Sequence, residues 1–318
     1  MKKVVLFGGG TGMSQVIKGL KLFPLEITAV VGVFDSGRST GALRDIYDMA
    51  AVGDLTKVLL NVGDLSDDEL ELLNYRVKGS NNKNAYNHSL KNLILTSLID
   101  IHGSFDAGIA AFCRIFKIKG SVFPLTTENV NLVAKMHDGE IVYGEDDITE
   151  AKKRIDNIWF DQKFKPNPRI FKALENADLI IIAPGSLYTS ILPHLMTPEI
   201  SEAIKNSKAK KMYICNLITQ PGETINYTAS HHLDILNEYL GEKTIDVILA
   251  NNAKISKRLA AKYETREQKY PVLLDEKKLK AYGVKIIADK IYKIENNMIR
   301  HDSLKTAYLV YSYLMGDK

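Results

Sequence analysis

Two glycine-rich segments have the residue types of a phosphate-binding turn. The first, Gly8 to Gly12, follows the apolar run 4–7 and precedes a segment in which Val16, Ile17 and Leu20 have helical spacing. Glycines between a strand and a helix let an anion approach backbone N–H groups at the positive end of the helix dipole. The glycine spacing does not match the dinucleotide fingerprint, so a structural turn is the alternative. The candidate phosphate ligands here are Gly9, Gly10, Thr11, Gly12 and Ser14.

The second segment, 183–190, follows the apolar run 179–182 and combines a glycine with several hydroxyl groups. A turn of this type after a buried strand predicts a second anion cradle. Two such turns at the ends of different parallel strands indicate a ligand more strongly than either turn alone. The candidates are Gly185, Ser186, Tyr188 and Thr189.

Two further polar loops follow predicted strands. Asp35 lies 23 residues beyond Gly12, close to the spacing of a ribose-binding acid, and Arg38 and Ser39 beside it could hold phosphate. A surface loop rich in Gly and Ser is the alternative. The stretch 215–224 carries amide and hydroxyl groups suited to a sugar, a ribose or a base edge, or it is an ordinary polar loop. Its candidates are Asn216, Thr219 and Gln220.

Two residues are candidates for catalysis if the protein is an enzyme. Asp54 could bind Mg²⁺ beside a phosphate, or it could N-cap a helix. His88 precedes an apolar helical segment, where it could bind a phosphate or act as a general base.

Apolar strands alternate with amphipathic helices along the chain. Strand patterns occur at 27–33, 178–183, 211–215 and 245–250. This alternation predicts a doubly wound α/β fold with a mostly parallel, Rossmann-like sheet, as a single domain over 1–318. Residues 119–160 have β-rich character and an Asp138-Gly139 turn signal, which predict a small β-rich insertion or an added sheet edge.

Composition restricts the function classes. The net charge of +4 is too small to indicate nucleic acid, and the two distant cysteines are expected to be reduced, buried thiols. No signal peptide and no membrane span are expected, so the predicted location is the cytoplasm. P-loop and serine-hydrolase motifs do not occur. His231 and His232 lack zinc-ligand spacing and are expected on the polar face of a helix.

Taken together and in order, these motifs resemble those of the YvcK family of gluconeogenesis factors, relatives of the 2-phospho-L-lactate transferase CofD. The likeness runs from residue 1 to about 310. It is carried by segments 8–14, 35–44, 53–58, 88–95, 184–193, 215–224 and 300–303. The resemblance implies a CofD-like fold and a nucleotide-containing ligand such as a UDP-sugar. It also implies links to gluconeogenic growth, cell shape and peptidoglycan synthesis, and CofD itself uses Mg²⁺.

Several positions depart from the family pattern. The usual Asp-Asp-Gly-Gly-Ser-Ser-Gly is Asp-Ser-Gly-Arg-Ser-Thr-Gly at 35–41, so one carboxylate is lost and one cation is gained. Thr56 and Lys57 stand where the family has Arg and Asn, and Lys91 replaces a glycine. These changes weaken a metal site in the 35–41 loop and favour anion binding.

The leading hypothesis is a regulatory protein that binds a UDP-sugar. The alternative is a CofD-like, Mg²⁺-dependent transferase that moves a phosphorylated group from a nucleotide diphosphate donor. An NAD(P)-linked oxidoreductase is the third. A homodimer is expected only because dimers are common.

Overall fold

A seven-stranded parallel sheet forms the centre of the structure, a computed structural model that describes residues 1–78 and 87–316. Its strands are β1 (Lys2–Gly8), β2 (Leu25–Val31), β3 (Ser121–Pro124), β7 (Leu179–Ile182), β8 (Lys210–Ile214), β9 (Val247–Asn251) and β10 (Lys285–Asp289). Their spatial order is β10-β9-β8-β7-β1-β2-β3. The predicted fold class, a doubly wound parallel α/β sheet, is confirmed.

The central strands are apolar because both faces of the sheet are covered. All four residues of β7 are buried, and the last five residues of β1 are buried as well. Alternate residues of β1 belong to opposite cores: Val4 and Leu6 to one, Val5 and Phe7 to the other. Two buried faces explain the near-continuous hydrophobic runs in the sequence.

Helices connect the strands and cover both faces. Their bounds are α1 (Gly10–Leu20), α2 (Arg38–Tyr47), α3 (Gly53–Val62), α4 (Asp67–Asn74), α5 (Leu90–His102), α6 (Phe105–Ile115), α7 (Glu145–Ala151), α8 (Arg169–Glu175), α9 (Leu192–Leu195), α10 (Pro198–Asn206), α11 (Ala229–Leu240), α12 (Lys257–Glu267), α13 (Glu276–Ala281) and α14 (Ser303–Met315). A π-helical turn, Leu187–Ile191, precedes α9. Within the described ranges, no helix combines the length and apolar character needed to span a bilayer.

The β-rich segment contributes to two sheets. Strand β3 is the edge of the main sheet and pairs with β2. Strands β4 (Leu132–Met136), β5 (Ile141–Tyr143) and β6 (Ile155–Phe160) form a separate antiparallel sheet with its own small core. The Asp138-Gly139 turn joins β4 to β5, as its residue types predict. A second antiparallel pair, β11 (Tyr292–Glu295) and β12 (Met298–His301), precedes α14 and has no counterpart among the predicted strands.

The strand order reverses direction at β1. From β1 the chain moves to β2 and β3 on one side, whereas β7 to β10 extend on the other side. In open α/β sheets the carboxyl ends of the strands at such a switch point border a ligand crevice. The turns after β1 and β7 are the two glycine-rich segments.

Candidate functional site

A polar crevice with two adjoining lobes lies at this switch point. The first, the glycine lobe, has a volume of about 390 Å³ and is lined by Gly9, Gly10, Thr11, Gly12, Asp35, Asp54, Lys57, Glu145, Asp146, Gly185, Ser186 and Ser190. The second, the lysine lobe, has a volume of about 350 Å³ and is lined by Asp35, Gly37, Ser39, Thr40, Gly53, Lys57, Arg76, Asn87, Ser89, Lys91, Asn92, Asp146 and Glu150. The lobes share Asp35, Lys57 and Asp146.

The two glycine turns are in close backbone contact. A Cβ atom on Gly12 would lie 1.9 Å from the carbonyl oxygen of Pro184, which is far inside van der Waals contact. A Cβ on Gly10 would lie 2.4 Å from an oxygen of the Asp54 carboxylate. Glycine is therefore required at both positions, so that helix α1 can approach the turn after β7 and the side chain of Asp54.

The side chain of Asp54, a residue of α3, contacts the N-terminus of α1. The Gly10 N–H donates to Asp54 Oδ2 at 2.7 Å, and Lys57 Nζ donates to Oδ1 at 2.8 Å. The alternative that Asp54 caps its own helix is wrong, because Val52 is the N-cap residue of α3 and Asp54 lies inside the helix. Burial opposes the charge on Lys57, but the Asp54 carboxylate outweighs burial and raises the pKa of Lys57. The helix terminus predicted to hold phosphate is thus bonded to an internal carboxylate.

Asn216 braces the second glycine turn. Gly185 N–H donates to Asn216 Oδ1 at 3.0 Å, and Asn216 Nδ2 donates to Gly185 O at 2.7 Å. The two bonds fix the turn after β7 to the loop after β8. Both bonds of this side-chain amide are therefore used to position the turn.

The Glu223 side chain is hydrogen-bonded to the π-helical turn at residues 187–191 and to Ser186 just before it. It receives hydrogen bonds from Ser186 Oγ at 2.6 Å and from Tyr188 N–H at 3.1 Å, and Gln220 Nε2 donates to it at 2.9 Å. Burial raises the pKa of Glu223 to about 7, although the Ser186 hydrogen bond acts in the opposite direction. Glu223, which contacts Ser186 in the turn after β7, therefore changes its protonation state near neutral pH.

Glu145 brings the small antiparallel sheet to the crevice. It is the first residue of α7 and accepts a hydrogen bond from Thr189 Oγ1 at 2.9 Å. A second contact, from Asp146 N–H to Ser36 Oγ at 3.1 Å, fixes α7 to the loop after β2. Burial raises the pKa of Glu145 to about 7, and the nearby Asp35 carboxylate adds to the shift.

Asp35 lies between the lobes. Its Oδ1 accepts the Gly37 N–H at 2.8 Å. Burial raises its pKa, the Gly37 bond lowers it, and the Asp54 carboxylate raises it. The glycine lobe therefore holds several mutually repelling carboxylates and a single described lysine, Lys57, among its lining residues.

The lysine lobe is built by helices α2, α3 and α5. Ser39 Oγ lies 2.8 Å from His88 Nδ1, and Thr56 Oγ1 lies 2.7 Å from Asn92 Oδ1. Lys91, in the first turn of α5, donates to Asn74 Oδ1 at 2.7 Å. Burial and then the neighbouring charges of Lys57 and Arg76 lower the pKa of Lys91 to about 8.

The structure brings most of the predicted ligand residues to the crevice. Those that line it are Gly9, Gly10, Thr11, Gly12, Asp35, Ser39, Asp54, Gly185 and Ser186. Three other candidates contact lining residues: Thr189 bonds to Glu145, Asn216 bonds to Gly185, and His88 bonds to Ser39. The side chain of Arg38 lies outside the described part of the structure.

Like Thr189, Asn216 and His88, four further candidates are absent from the lining of both lobes: Ser14, Tyr188, Thr219 and Gln220. Ser14 is buried within α1, and its hydroxyl has no hydrogen-bond partner in the described residues. Tyr188 directs its hydroxyl to Tyr227 at 3.3 Å. Thr219 Oγ1 accepts the Tyr270 N–H at 2.9 Å, and Gln220 bonds to Glu223. Tyr188, Thr219 and Gln220 therefore use their polar groups for contacts within the protein.

Sequence reasoning missed three residues of the site. Lys57 was noted only as a departure from the family pattern. Glu223 lies within the 215–224 loop and could have been selected as the one carboxylate there. Glu145 has no local signal, because it reaches the crevice only through the docking of α7.

The placement expected for the histidine pair is wrong for His232. This side chain is fully buried, donates its Nδ1–H to Thr228 O at 3.0 Å, and stacks on Tyr213. Burial lowers its pKa. The helix α11 packs between neighbouring elements, so this position faces the core.

The donor chemistry of the glycine lobe suits Mg²⁺, but a complete site is not assembled. Carboxylate oxygens are the ligands that this ion prefers. In the described ranges, however, no three His, Cys, Asp or Glu side chains are grouped to hold a metal ion. Asp54 is already bonded to Gly10 and Lys57. The side chains of residues 1–78 and 87–316 are therefore not grouped as a complete set of metal ligands.

The fold and the crevice define a Rossmann-like α/β protein with a polar crevice at the switch point of its sheet. The model of the family described as 2-phospho-L-lactate transferase CofD matches residues 4–292. The chain belongs to this CofD family and, within it, to the gluconeogenesis factors.

Relatives match over nearly the whole chain. The gluconeogenesis factor of Bacillus subtilis is 41% identical, over 98% of this chain and 98% of that protein. The gluconeogenesis factor of Halalkalibacterium halodurans is 41% identical, over 96% of this chain and 94% of that protein. A crystal structure of a UPF0052 family member from Bacillus halodurans has a TM-score of 0.92 and 40% identity, and the match covers 98% of this chain and 99% of that chain. The resemblance recognised in the sequence is confirmed.

Proposed function

We propose that the protein is a cytoplasmic regulator that binds a UDP-sugar across the crevice and links carbon metabolism to cell shape and cell-wall synthesis. The observation that carries this proposal is the pairing of two glycine turns at the switch point. Gly12 packs against Pro184, so the N-terminus of α1 and the hydroxyl-rich turn after β7 border one lobe. A diphosphate would lie between them.

The polarity of the lining supports a ligand rich in oxygen atoms. Every residue that lines either lobe is glycine, polar or charged. Carboxylates such as Asp35 and Glu145 accept hydrogen bonds from sugar hydroxyls. NAD(P) shares the diphosphate and ribose hydroxyls of a UDP-sugar, so parallel titrations with both ligands distinguish them.

The charges in the glycine lobe set a condition on binding. A diphosphate entering beside Asp35, Asp54 and Glu145 would be repelled unless positive charge or protons accompany it. Lys57 supplies one positive charge, and Glu145 can take up a proton near pH 7. We therefore expect affinity to rise as the pH falls from 8 to 6, or when Mg²⁺ is added.

Thr11 provides a sharp test. It is exposed in the first turn of α1 and lines the glycine lobe. Thr11→Glu places a carboxylate in the cradle while retaining a good residue for a helix N-terminus, and Thr11→Gln is the neutral control of the same size. Calorimetric titration with UDP-N-acetylglucosamine should give at least a tenfold loss of affinity for Thr11→Glu, because like charges across a site cost several kcal/mol. The control should bind within a few-fold of the wild type.

Two outcomes would contradict the proposal. One is the absence of binding to UDP-sugars at millimolar concentration, with and without Mg²⁺. The other is equal affinity for Thr11→Glu and Thr11→Gln, which would place the ligand elsewhere. Preferential binding of NAD(P) would identify a different nucleotide.

The convergence of carboxylates favours a second candidate function, a CofD-like transfer of a phosphorylated group. Asp54 would then help to bind Mg²⁺ once ligand phosphates complete the coordination, and the ion would stabilise the leaving phosphate. His88 contacts Ser39 at the lysine lobe and could orient an acceptor there.

The variant Asp54→Asn separates the two functions. The Asn oxygen can still accept the Gly10 N–H, so the fold should be retained. As a binding protein, the variant should bind UDP-sugar more tightly without Mg²⁺, because a competing carboxylate is gone. As a transferase, the wild type should release a phosphorylated product in ³¹P NMR with Mg²⁺, and the variant should not. Unchanged turnover in Asp54→Asn would remove this residue from the mechanism.

A further inference from the structure

The N-cap residue of α5 is part of the lining of the lysine lobe, and it carries a buried hydroxyl without a partner among the described residues. Ser89 is the N-cap residue of α5, is only 2% exposed and lines the lobe. Its hydroxyl has no hydrogen-bond partner in the described part of the chain. A buried hydroxyl without a partner is costly unless a bound group satisfies it. At other helices with a serine N-cap, such as Ser66 on α4 and Ser256 on α12, the hydroxyl accepts a backbone N–H of its own helix.

Positive charge is concentrated at the same point. Lys91 is the second residue of α5, and the charges of Lys57 and Arg76 are close enough to act on it. Its recorded partner is the neutral oxygen of Asn74, and in the described ranges no carboxylate forms an ion pair with it. Lys57 is paired with Asp54, whereas Lys91 and Arg76 form no ion pair within the described residues. These two unpaired cations create a positive potential, and the dipole of α5 adds to it.

Two backbone N–H groups at the N-terminus of α5 already have hydrogen-bond partners. The N–H of Leu90 is bonded to Tyr75 O, and the N–H of Asn92 is bonded to Ser89 O. A bound anion would therefore be held mainly by side chains. Ser89 would donate its hydroxyl proton, and Lys91 would supply a charge-assisted hydrogen bond.

We propose that the lysine lobe is a second anion site, in which Ser89 and Lys91 bind a phosphate or carboxylate group at the N-terminus of α5. Asp146 and Glu150 of helix α7 also line the lysine lobe. Their carboxylates can accept hydrogen bonds from hydroxyl groups of a ligand. The ligand chemistry is thus an anionic group on a hydroxylated small molecule. This site does not depend on UDP-sugar binding in the glycine lobe.

Inorganic phosphate is the first probe, titrated at low ionic strength and followed by ³¹P NMR line broadening and calorimetry. We expect saturable binding to the wild type and a loss of about tenfold in Lys91→Ala and in Ser89→Ala, as for removal of a hydrogen bond to a charged group. Lys91→Arg should retain binding. The matched controls are Arg258→Ala and Ser256→Ala. Ser256 is the N-cap residue of α12, Arg258 lies two residues after it as Lys91 lies two after Ser89, and the Ser256 hydroxyl is already bonded to Leu259 N–H.

Two results would overturn the proposal: no saturable phosphate binding, or equal losses in the α5 variants and the α12 controls. The source of the anion is decided by repeating the titration with saturating UDP-N-acetylglucosamine. If phosphate still binds, the site takes a separate molecule. If phosphate is displaced and Lys91→Ala also weakens the UDP-sugar, the site takes a phosphate of the nucleotide. Failure of Thr11→Glu to affect UDP-sugar binding would contradict the proposed function but not this site.

Discussion

The buried carboxylate of Glu223 predicts a specific dependence of stability on pH. Its pKa in the folded protein is about 7, against an ordinary value of 4.5. Because the folded state holds this proton more tightly, the contribution of Glu223 to the free energy of unfolding is largest below pH 4.5 and is lost as the pH rises through 7. At 1.36 kcal/mol per pKa unit, the loss is about 3 kcal/mol. For a chain of this size it corresponds to a change in Tm of about 5 °C.

The pH dependence of wild-type stability alone does not isolate the contribution of Glu223. Burial lowers the pKa of His194 and His301 to about 4 and also lowers that of His232. The unfolded chain binds protons more tightly at these residues, so their contribution to stability rises with pH between about 4 and 6.5. The informative quantity is therefore the difference between wild type and Glu223→Gln, in which the histidine contributions cancel.

Glu223→Gln keeps an acceptor for Tyr188 N–H but removes the titration. From pH 5 to pH 8 the variant should gain about 3 kcal/mol relative to the wild type, measured by urea unfolding at each pH. Glu202→Gln, on the exposed side of α10, is the control and should follow the wild type. A difference that stays constant within about 0.5 kcal/mol across this range would refute the reasoning, because that is the accuracy expected for independent sites.

Three further predictions test the packing around the crevice. Gly12→Ala should lower stability by about 1–3 kcal/mol or more, because the new methyl group collides with the backbone carbonyl of Pro184. Gly185→Ala, whose Cβ would lie 3.5 Å from its nearest neighbour, should fold normally in the same thermal scan. Asn216→Ala removes both bonds to Gly185 and should lower the free energy of unfolding, measured by chemical denaturation, by about 2 kcal/mol. An unchanged denaturation midpoint would show that these bonds do not stabilise the turn. Burial raises the pKa of Cys215 to about 12, so a thiol reagent at pH 8 should modify it only after unfolding, and rapid native labelling would contradict its placement.

The position of the site followed from the sequence because parallel strands carry their loops to a common edge. The apolar runs before Gly8 and Ala183 marked strands buried on both faces, and glycines after them marked the turns. Neither inference needed to know which strands are neighbours. The adjacency of β1 and β7, separated by about 170 residues in the sequence, is a property of the sheet order and was supplied by the structure.

The electrostatics of the site could not be read from local patterns. The structure places Asp54 in the lining of the glycine lobe, but its bond to Gly10 spans 44 residues. Glu145 acquires its raised pKa only because α7 docks on Ser36 and Thr189, across 110 and 44 residues respectively. Burial and charge proximity depend on such distant contacts, whereas strand and turn signals are local.

The internal ion pair links the two lobes. Asp54 holds the N–H group of Gly10 that a ligand phosphate would use, and it simultaneously holds Lys57, which lines both lobes. A phosphate that replaced Asp54 at α1 would also remove the partner of Lys57, leaving that lysine to bind the incoming anion. The displaced Asp54 carboxylate would remain beside the lobe, so a bound anion adds negative charge there, in agreement with the expected need for protons or Mg²⁺. This arrangement stabilises the crevice before a ligand binds, and it requires a bound anion to make stronger contacts than the Asp54 side chain it displaces.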